Sequence, residues 1–268
     1  MKEFLYHQNS IVMALVLFIF MLIAIEAGYR FGLKANKNES YKAHVVAVQS
    51  TLLGLLALLI AFTFSIAIQR FDSRSDAVVD EANAIGTTYL RTELLPISMR
   101  SDIQQSIHDY VDLRVLASAT PLDHVAEQRV LRLKATHIQT ILWRQAMAAV
   151  EKDPRQVTSG LFVQSLNELI DSYGRRIMSV DRHVPEAVLL LLSFVFIVTG
   201  GITGYAVGIT NQRPSFISYI MVGLFVLLVF LIIDLDHPRQ GLIKVNQQSL
   251  IDLRHSIANT QHTKDTLN

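Results

Sequence analysis

The sequence predicts an all-α integral membrane protein with four transmembrane helices and a helical soluble domain inserted between spans two and three. Its 268 residues are 51% apolar with a mean hydropathy of +0.34, although 18% are charged, and this mixture indicates a membrane section joined to a soluble section. A bilayer is crossed by roughly 17–25 mainly apolar residues, and runs of this kind lie at 11–29, 50–68, 187–209 and 215–233.

The stretch between the second and third runs has the spacing of amphipathic helices. Apolar residues recur there three or four positions apart, as in Ile103, Ile107 and Val111. All six prolines fall at the edges of apolar or amphipathic segments, where helices end. The predicted soluble helices cover 72–95, 97–118, 122–152 and 156–183. The chain is accordingly divided into spans one and two (1–70), the helical domain (71–185), spans three and four (186–233) and a C-terminal tail (234–268).

Sequence signals for enzymatic chemistry are missing. The chain has no cysteine and no HExxH, GxxxxGK(S/T) or GxSxG motif, and its nine histidines are scattered without ligand spacing. The net charge of +1 and the single tryptophan give no basis for nucleic-acid binding. We therefore expect no catalytic residue, no metal ligand, no cofactor and no nucleic-acid partner.

The second apolar run continues into a charged stretch, IAFTFSIAIQRFDSRSDAVVDEANAIGTTYLR (60–91), without a proline. This continuity predicts one helix from about His44 to Leu95, on the order of 75–80 Å long at 1.5 Å per residue. Two interpretations stay open. The helix is a stalk that ties the soluble domain to the membrane, or it repeats around a symmetry axis and lines a conduit.

Three segments carry a resemblance to a known family. The pattern LLGLLALLIAFTFSIAIQRFDSR resembles the second transmembrane helix of the bestrophins, with Phe62 in the phenylalanine position and Arg70-Phe71 as the arginine–aromatic pair eight residues later. The segments EANAIGTTYLR and IIDLDHPRQGLIKV extend the match. Over nearly its whole length the chain is similar to a bacterial bestrophin-like membrane family of unknown function.

The resemblance implies a homopentamer in the bacterial inner membrane, with the helical domain and both termini in the cytoplasm. The second helices would form an apolar neck on the axis that conducts chloride or similar inorganic anions. Two departures limit the transfer: Thr63-Phe64-Ser65 stands where bestrophins carry a polar and basic stretch, and no acidic calcium clasp follows Asp236. The architecture therefore transfers better than ion selectivity or calcium gating.

Helical spacing places five residues along one stripe of the second span, namely Leu55, Leu59, Phe62, Ile66 and Gln69. Large apolar side chains in a neck can gate a channel by excluding water, so this stripe is the candidate pore lining. The alternative is that the stripe packs on neighbouring helices, and periodicity alone does not choose between the two. The candidate residues of the pore mouth and vestibule are Arg70, Arg74, Asn83 and Thr87.

Three acidic residues follow the second span at helical spacing. Asp72, Asp76 and Asp80 lie four residues apart, and like charges at that spacing repel each other. Either a cation binds to this ladder in an oligomer, or the carboxylates are solvated or paired with basic residues. The candidate partners on the returning helix are Arg175, Arg176 and Arg182.

Glycines inside predicted helices point to close contacts. Gly86 is unfavourable in a helix interior by about 1 kcal/mol relative to alanine, so either another helix approaches there or the glycine backbone lines a vestibule. In the third span, Gly200, Gly201 and Gly204 offer a small face for helix packing.

A rival function is a membrane scaffold or sensor that does not conduct ions. Its helical domain would then bind a protein partner, and the amphipathic segment 122–152, which carries Trp143, is the candidate docking face. The oligomeric state separates the two hypotheses, because a monomer cannot enclose an axial pore with one second helix.

Overall fold

The computed structural model describes residues 10–35, 38–121, 124–213, 215–236 and 242–267, and this part of the chain contains helices but no β-strand. The eight α-helices are α1 (Ser10–Leu33), α2 (Glu39–Arg91), α3 (Ile97–Ala119), α4 (Val125–Lys152), α5 (Leu161–Asp181), α6 (Glu186–Ile209), α7 (Phe216–Asp236) and α8 (Gln248–Leu267). A 3₁₀ turn (Thr92–Leu94) follows α2, and a π-helical turn (Gln156–Gly160) precedes α5. The predicted all-α class is confirmed.

Four described helices are long and apolar enough to cross a membrane. They are α1, α2, α7 and the stretch Gln156–Ile209, which contains α6. The 53 residues of α2 form one unbroken helix, about 80 Å long at 1.5 Å per residue. Pro96 and Pro185 directly precede α3 and α6, because proline fits the start of a helix but not its interior.

The chain folds as two compact units, here called the membrane unit (Met1–Phe71 and His183–Lys244) and the helical unit (Asp72–Arg182 and Val245–Asn268). The core of the membrane unit draws on all four of its helices, with Met21 from α1, Leu56 from α2, Phe196 from α6 and Ile232 from α7 buried together.

Within the membrane unit, α1 and α6 approach each other through glycines. A Cβ atom on Gly28 of α1 would lie 2.9 Å from the backbone nitrogen of Tyr205, and one on Gly204 of α6 would lie 2.9 Å from the Cα atom of Ile25. Real Cβ atoms do not come this close to backbone atoms, so only glycine permits this packing. The small face predicted in the third span is therefore in contact with α1.

In the helical unit, long apolar side chains of three helices are fully buried, among them Ile107 and Tyr110 of α3, Leu142 of α4 and Phe162 of α5. The oxygen of Tyr110 accepts a hydrogen bond of 3.0 Å from Nε2 of Gln139, so its hydroxyl is not left unsatisfied in the core.

The predicted C-terminal tail is divided between the two units, with 234–244 in the membrane unit and 245–268 in the helical unit. Helix α8, which was not predicted from the sequence, buries Leu250 and Ile257. Leu253 of α8 also explains Gly86, because a Cβ atom on Gly86 would lie 3.2 Å from the Cδ1 atom of Leu253. Gly86 thus marks the close approach of a helix.

Candidate functional site

The part of α2 in the membrane unit has a buried face and a free face. Leu56, Ile60 and Ala67 point into the core and are at most 6% exposed. On the other side, Leu55 is 44% exposed and Phe62 is 61% exposed. A membrane-spanning helix that leaves such side chains uncovered presents them to lipid or to another copy of the chain.

The predicted pore stripe is split between these two faces. Leu55, Phe62 and Gln69 lie on the free face, whereas Leu59 and Ile66 are partly buried against the core of the membrane unit. At about 100° per residue, Leu59 and Ile66 are turned roughly 20–40° further toward the buried side than Leu55. The free face therefore follows a seven-residue spacing from Leu55 to Phe62 and Gln69. Leu58, which is 52% exposed, also lies on this face but was not among the residues predicted from the sequence.

Arg74, which was predicted at a pore mouth, is instead buried in the helical unit and only 2% exposed. Its Nε atom donates to the carbonyl of Ser179 at 3.2 Å, and its Nη2 atom donates to the carbonyl of Arg182 at 2.7 Å. The last carbonyls of an α-helix lack partners within the helix, so Arg74 caps the end of α5. Arg70 is half-buried, and its Nε atom has no hydrogen-bond partner in the part of the chain that is described.

The acidic ladder of Asp72, Asp76 and Asp80 is exposed on the helical unit. Two of its predicted partners have other close contacts, since Arg175 pairs with Glu168 and Arg176 pairs with Glu81. The pKa of Arg175 is raised mainly by its hydrogen bond to Glu168, but the charge of Asp80 nevertheless helps to raise it. Within the described ranges, no group of three or more His, Asp or Glu side chains is arranged to hold a metal ion. The ladder therefore does not form a metal site within one chain.

A buried ionic network lies inside the helical unit. Nε of Arg114 lies 2.6 Å from Oε1 of Glu81, and Arg176 donates a hydrogen bond to the other carboxylate oxygen. Arg176 also donates a 2.6 Å hydrogen bond to Oε1 of Gln247, and the guanidinium of Arg114 lies 4.7 Å from the ring centre of Tyr173. The network joins α2, α3 and α5 to the segment that precedes α8.

The pKa values of Glu81 and Arg176 are shifted by burial and by the charges of their partners in the network. Burial alone would raise the pKa of Glu81, but the positive charges of Arg114 and Arg176 outweigh it, so the pKa lies below its usual 4.5. Burial and the neighbouring Arg114 lower the pKa of Arg176. Glu81 was not among the residues predicted from the sequence, although this carboxylate lies between Ala77 and Ile85 on a buried stripe with four-residue spacing.

An open groove of about 460 Å³ lies between α2 and α5 in the helical unit. Its polar walls come from Asp80, Asn83 and Thr87 on α2 and from Gln164, Glu168 and Arg175 on α5. Arg91 closes one end, where its Nη1 atom donates to the carbonyl of Leu161 at 2.7 Å. The structure thus brings together three predicted site residues, namely the two vestibule candidates and the last member of the acidic ladder.

Two buried carboxylates hold loops of the membrane unit in place. Asp234, which is 1% exposed, accepts hydrogen bonds from the backbone nitrogens of Leu242 at 3.0 Å and Ile243 at 2.9 Å. Asp236 accepts one from the backbone nitrogen of Val184 at 2.9 Å. The motif DHPRQG begins at Asp236, and its remaining residues, 237–241, lie outside the described residues.

Comparison with known proteins identifies the family. The chain matches the bestrophin-like domain over residues 14–250. Two crystal structures of variants of a bacterial bestrophin homolog from Klebsiella pneumoniae share its fold, one with a TM-score of 0.69 at 18% identity and one with 0.68 at 17%. Each alignment covers 94% of this chain and 98% of the other. Among curated proteins, none matches this chain.

Proposed function

The chain belongs to the bestrophin-like family, and on that premise we propose that it assembles as a homopentamer and conducts inorganic anions of the chloride type. The ring contacts the lipid bilayer, and its axial neck is lined by the free face of α2. The observation that carries this proposal is the uncovered apolar face at Leu55, Leu58 and Phe62, on a helix that continues unbroken beyond the membrane-crossing length. A neck of such side chains repels water, so it closes unless the helices move apart.

The protein is assigned to the bacterial inner membrane, with the helical unit and both termini in the cytoplasm. Four spans put the termini and the domain between spans two and three on the same side. The family resemblance and the basic residues that flank the domain, such as Arg70 and Arg182, favour the cytoplasmic side. A reporter fused after Asn268 should be active if it requires the cytoplasm and inactive if it requires the periplasm.

The choice of anions rests on the family resemblance. Asn83 and Thr87, which are exposed and polar, would line a vestibule beyond the neck. The exposed carboxylates of Asp72 and Asp76 act against anion entry, because they lower the local anion concentration. Reversal potentials measured in a chloride gradient and in a sodium gradient therefore decide the selectivity.

A single-cysteine experiment tests the neck, since the chain has no cysteine of its own. Phe62→Cys, reconstituted in liposomes, should pass ions, and a charged thiol reagent should change the flux. The matched control is Ile23→Cys on α1, a site that is 57% exposed outside α2. A neck at Phe62 is contradicted if the reagent changes flux equally in both variants or in neither.

The second candidate function is a scaffold that does not conduct ions, and one observation favours it. A groove of about 600 Å³ runs between α3 and α4, and its lining combines apolar side chains, among them Leu116 and Leu133, with the polar side chains of Asp109, Asp112, Lys134 and His137. Leu116 is 53% exposed and Leu133 is 64% exposed, which suits an amphipathic helix of a partner protein. Intact rings that remain ion-tight with Phe62 replaced by alanine would favour this function over conduction.

A further inference from the structure

The groove between α3 and α4 has an acidic side and a basic side. Asp109 and Asp112 line it from α3, and Lys134 and His137 line it from α4. In the part of the chain that the structure describes, Lys134 forms no ion pair, and Asp109 accepts a 2.8 Å hydrogen bond from Gln105 of its own helix. The charges on the two sides of the groove are therefore not paired with each other within one chain.

The same separation of charge continues along both helices. Asp102 lies seven residues before Asp109 on α3, and Arg144 lies seven residues after His137 on α4, so each stays on the same face of its helix. Nε2 of Gln145, the residue after Arg144, lies 3.5 Å from the carbonyl oxygen of Asp102, which puts Asp102 and Arg144 at the same level. Acidic residues of α3 thus lie beside basic residues of α4 at two levels, about 10 Å apart along the helices.

Apolar side chains lie between the charged ones. Leu113 is buried in the groove and Ile138 is half-buried, whereas Leu116 and Leu133 have more than half of their surface exposed. An exposed apolar strip that is bordered by polar residues marks a surface that another molecule covers. This surface, which extends over 102–116 of α3 and 133–144 of α4, is called here the α3–α4 face.

The α3–α4 face is complementary to itself. The two helices run antiparallel, because Gln128 near the start of α4 donates a hydrogen bond to the carbonyl of Ala117 near the end of α3. A two-fold axis parallel to the helices places α3 of each copy over α4 of the other and leaves every residue at its own level. Asp112 then meets Lys134 of the second copy, and the four helices form a bundle. An axis perpendicular to the helices would place the acidic α3 on another acidic α3, and like charges repel.

We propose that the α3–α4 face docks onto the same face of a second copy of this chain, with α3 of each copy on α4 of the other. A two-fold contact of this kind is closed, because both chains use the same patch, and it joins two chains and no more. The inference goes beyond ion conduction, since the contact requires neither a ring nor an open pore. Where the chains form rings, it links one ring to another.

The size of the face indicates where the contact forms. Two packed helices present a face about 20 Å wide, and α3 rises about 21 Å from Asp102 to Leu116, so each copy covers roughly 400 Å². This is about half the area per partner of a standard interface and falls in the class of weak interactions. We therefore expect the contact in the membrane, where the chains are concentrated, rather than in dilute detergent.

Disulfide formation in native membranes tests the arrangement, because the chain has no cysteine of its own. Leu116→Cys with one tag and Leu133→Cys with another are expressed together and oxidised. A disulfide requires Cα atoms that face each other closely, so dimers with both tags should exceed dimers with one tag by about fivefold or more, against about twofold for random collision. Dominant single-tag dimers overturn the arrangement. So does a yield no higher than that of the control, Asn167→Cys, which lies exposed on α5 outside the face.

A chain that carries both cysteines tests whether the contact is closed. In a two-fold contact, the two disulfides of Leu116→Cys/Leu133→Cys join the same two chains, so the covalent product should stop at the dimer. A ladder of three, four and five chains would show that neighbours in a ring contact each other head to tail through this face, and it would overturn the two-fold contact. A product that stays monomeric would show that the two positions face each other within one chain, which overturns the proposal as well.

Charge reversal tests the pairing of acidic and basic residues. Lys134→Glu, added to both single-cysteine chains, places a carboxylate against Asp112 of the second copy and should lower the yield of mixed dimers about fivefold or more. Adding Asp112→Lys should restore the yield. The matched control, Arg129→Glu, changes an exposed arginine of α4 that does not line the groove and should leave the yield unchanged. Equal losses in the two variants, or no recovery with Asp112→Lys, would leave the groove to a different partner and overturn the proposal. No ion flux is measured, so failure here would not bear on conduction.

Discussion

Nε of Arg114 lies 2.6 Å from Oε1 of Glu81, and the two side chains are 4% and 0% exposed. Arg176, which is 3% exposed, binds the second carboxylate oxygen. Two guanidinium groups thus share one carboxylate away from water. Burying these charges costs free energy, and removing one of them would destabilise the fold because it leaves a buried charge without a partner. Glu81 lies on α2, the same helix that crosses the membrane, so the network fixes the position of the soluble half of that helix within the helical unit.

Removing the charge of Glu81 should destabilise the helical unit strongly. Glu81→Gln leaves the guanidinium groups of Arg114 and Arg176 buried without a negative partner, and breaking a buried pair in this way costs about 3–5 kcal/mol. Thermal or denaturant unfolding in detergent measures the change. The control is Glu168→Gln, which removes an exposed partner of Arg175 and should cost about 0–1 kcal/mol. Equal losses in the two variants would contradict the central role of Glu81.

Glu81 should also make the stability of the folded protein depend on pH. The pKa of Glu81 is lowered from 4.5 in the folded protein, so the unfolded chain binds its proton at a higher pH than the folded chain does. The contribution of Glu81 is therefore fully present above about pH 4.5 and is lost as the pH falls through the lowered value. Melting temperatures measured from pH 7 to pH 3 should fall more steeply for the native chain than for Glu81→Gln. Parallel curves would show that Glu81 does not contribute.

The glycine contact between α1 and α6 should tolerate no side chain. Gly204→Ala places a Cβ atom against the backbone of Ile25, which cannot move aside as a flexible side chain would. Overpacking of this kind costs about 1–3 kcal/mol or more. Gly223→Ala on α7 is the matched control, because its Cβ atom would meet no heavy atom of the described chain within 4 Å. Comparable melting temperatures for the two variants would contradict the close approach of α1 and α6.

The features that the sequence predicts are those with local causes. The four spans follow from continuous apolar runs, and the start of α3 follows from Pro96, because a proline cannot continue a helix. Helix α8 was missed because Gln248–Leu267 is mostly polar and buries only a few side chains, such as Leu250 and Ile257. Its stability as a helix depends on the surface against which it packs, and the segment itself carries no signal for that surface.

The site residues were harder to predict because partners far apart in the chain decide them. Arg176 pairs with Glu81 across 95 residues, whereas the sequence favoured Asp72, Asp76 and Asp80, which lie on the same helix as Glu81. Arg74 was predicted at a pore mouth because of its charge, but in the structure it donates to two carbonyls at the end of α5. Charge and spacing indicate that an arginine needs partners, but tertiary packing selects which partners it has.

The free face of α2 provides the last prediction, in which two neighbouring apolar residues behave differently. Phe62 is 61% exposed, whereas Ile66 is partly buried against the core of the membrane unit. Phe62→Ala should leave the unfolding free energy of each chain nearly unchanged and raise ion flux in liposomes, because a smaller side chain widens and wets the neck. Ile66→Ala should instead lower stability by about 1–2 kcal/mol, less than the 2–5 kcal/mol of a fully buried site. If Phe62→Ala destabilises the oligomer as much as Ile66→Ala without adding flux, Phe62 packs between copies and the neck lies elsewhere.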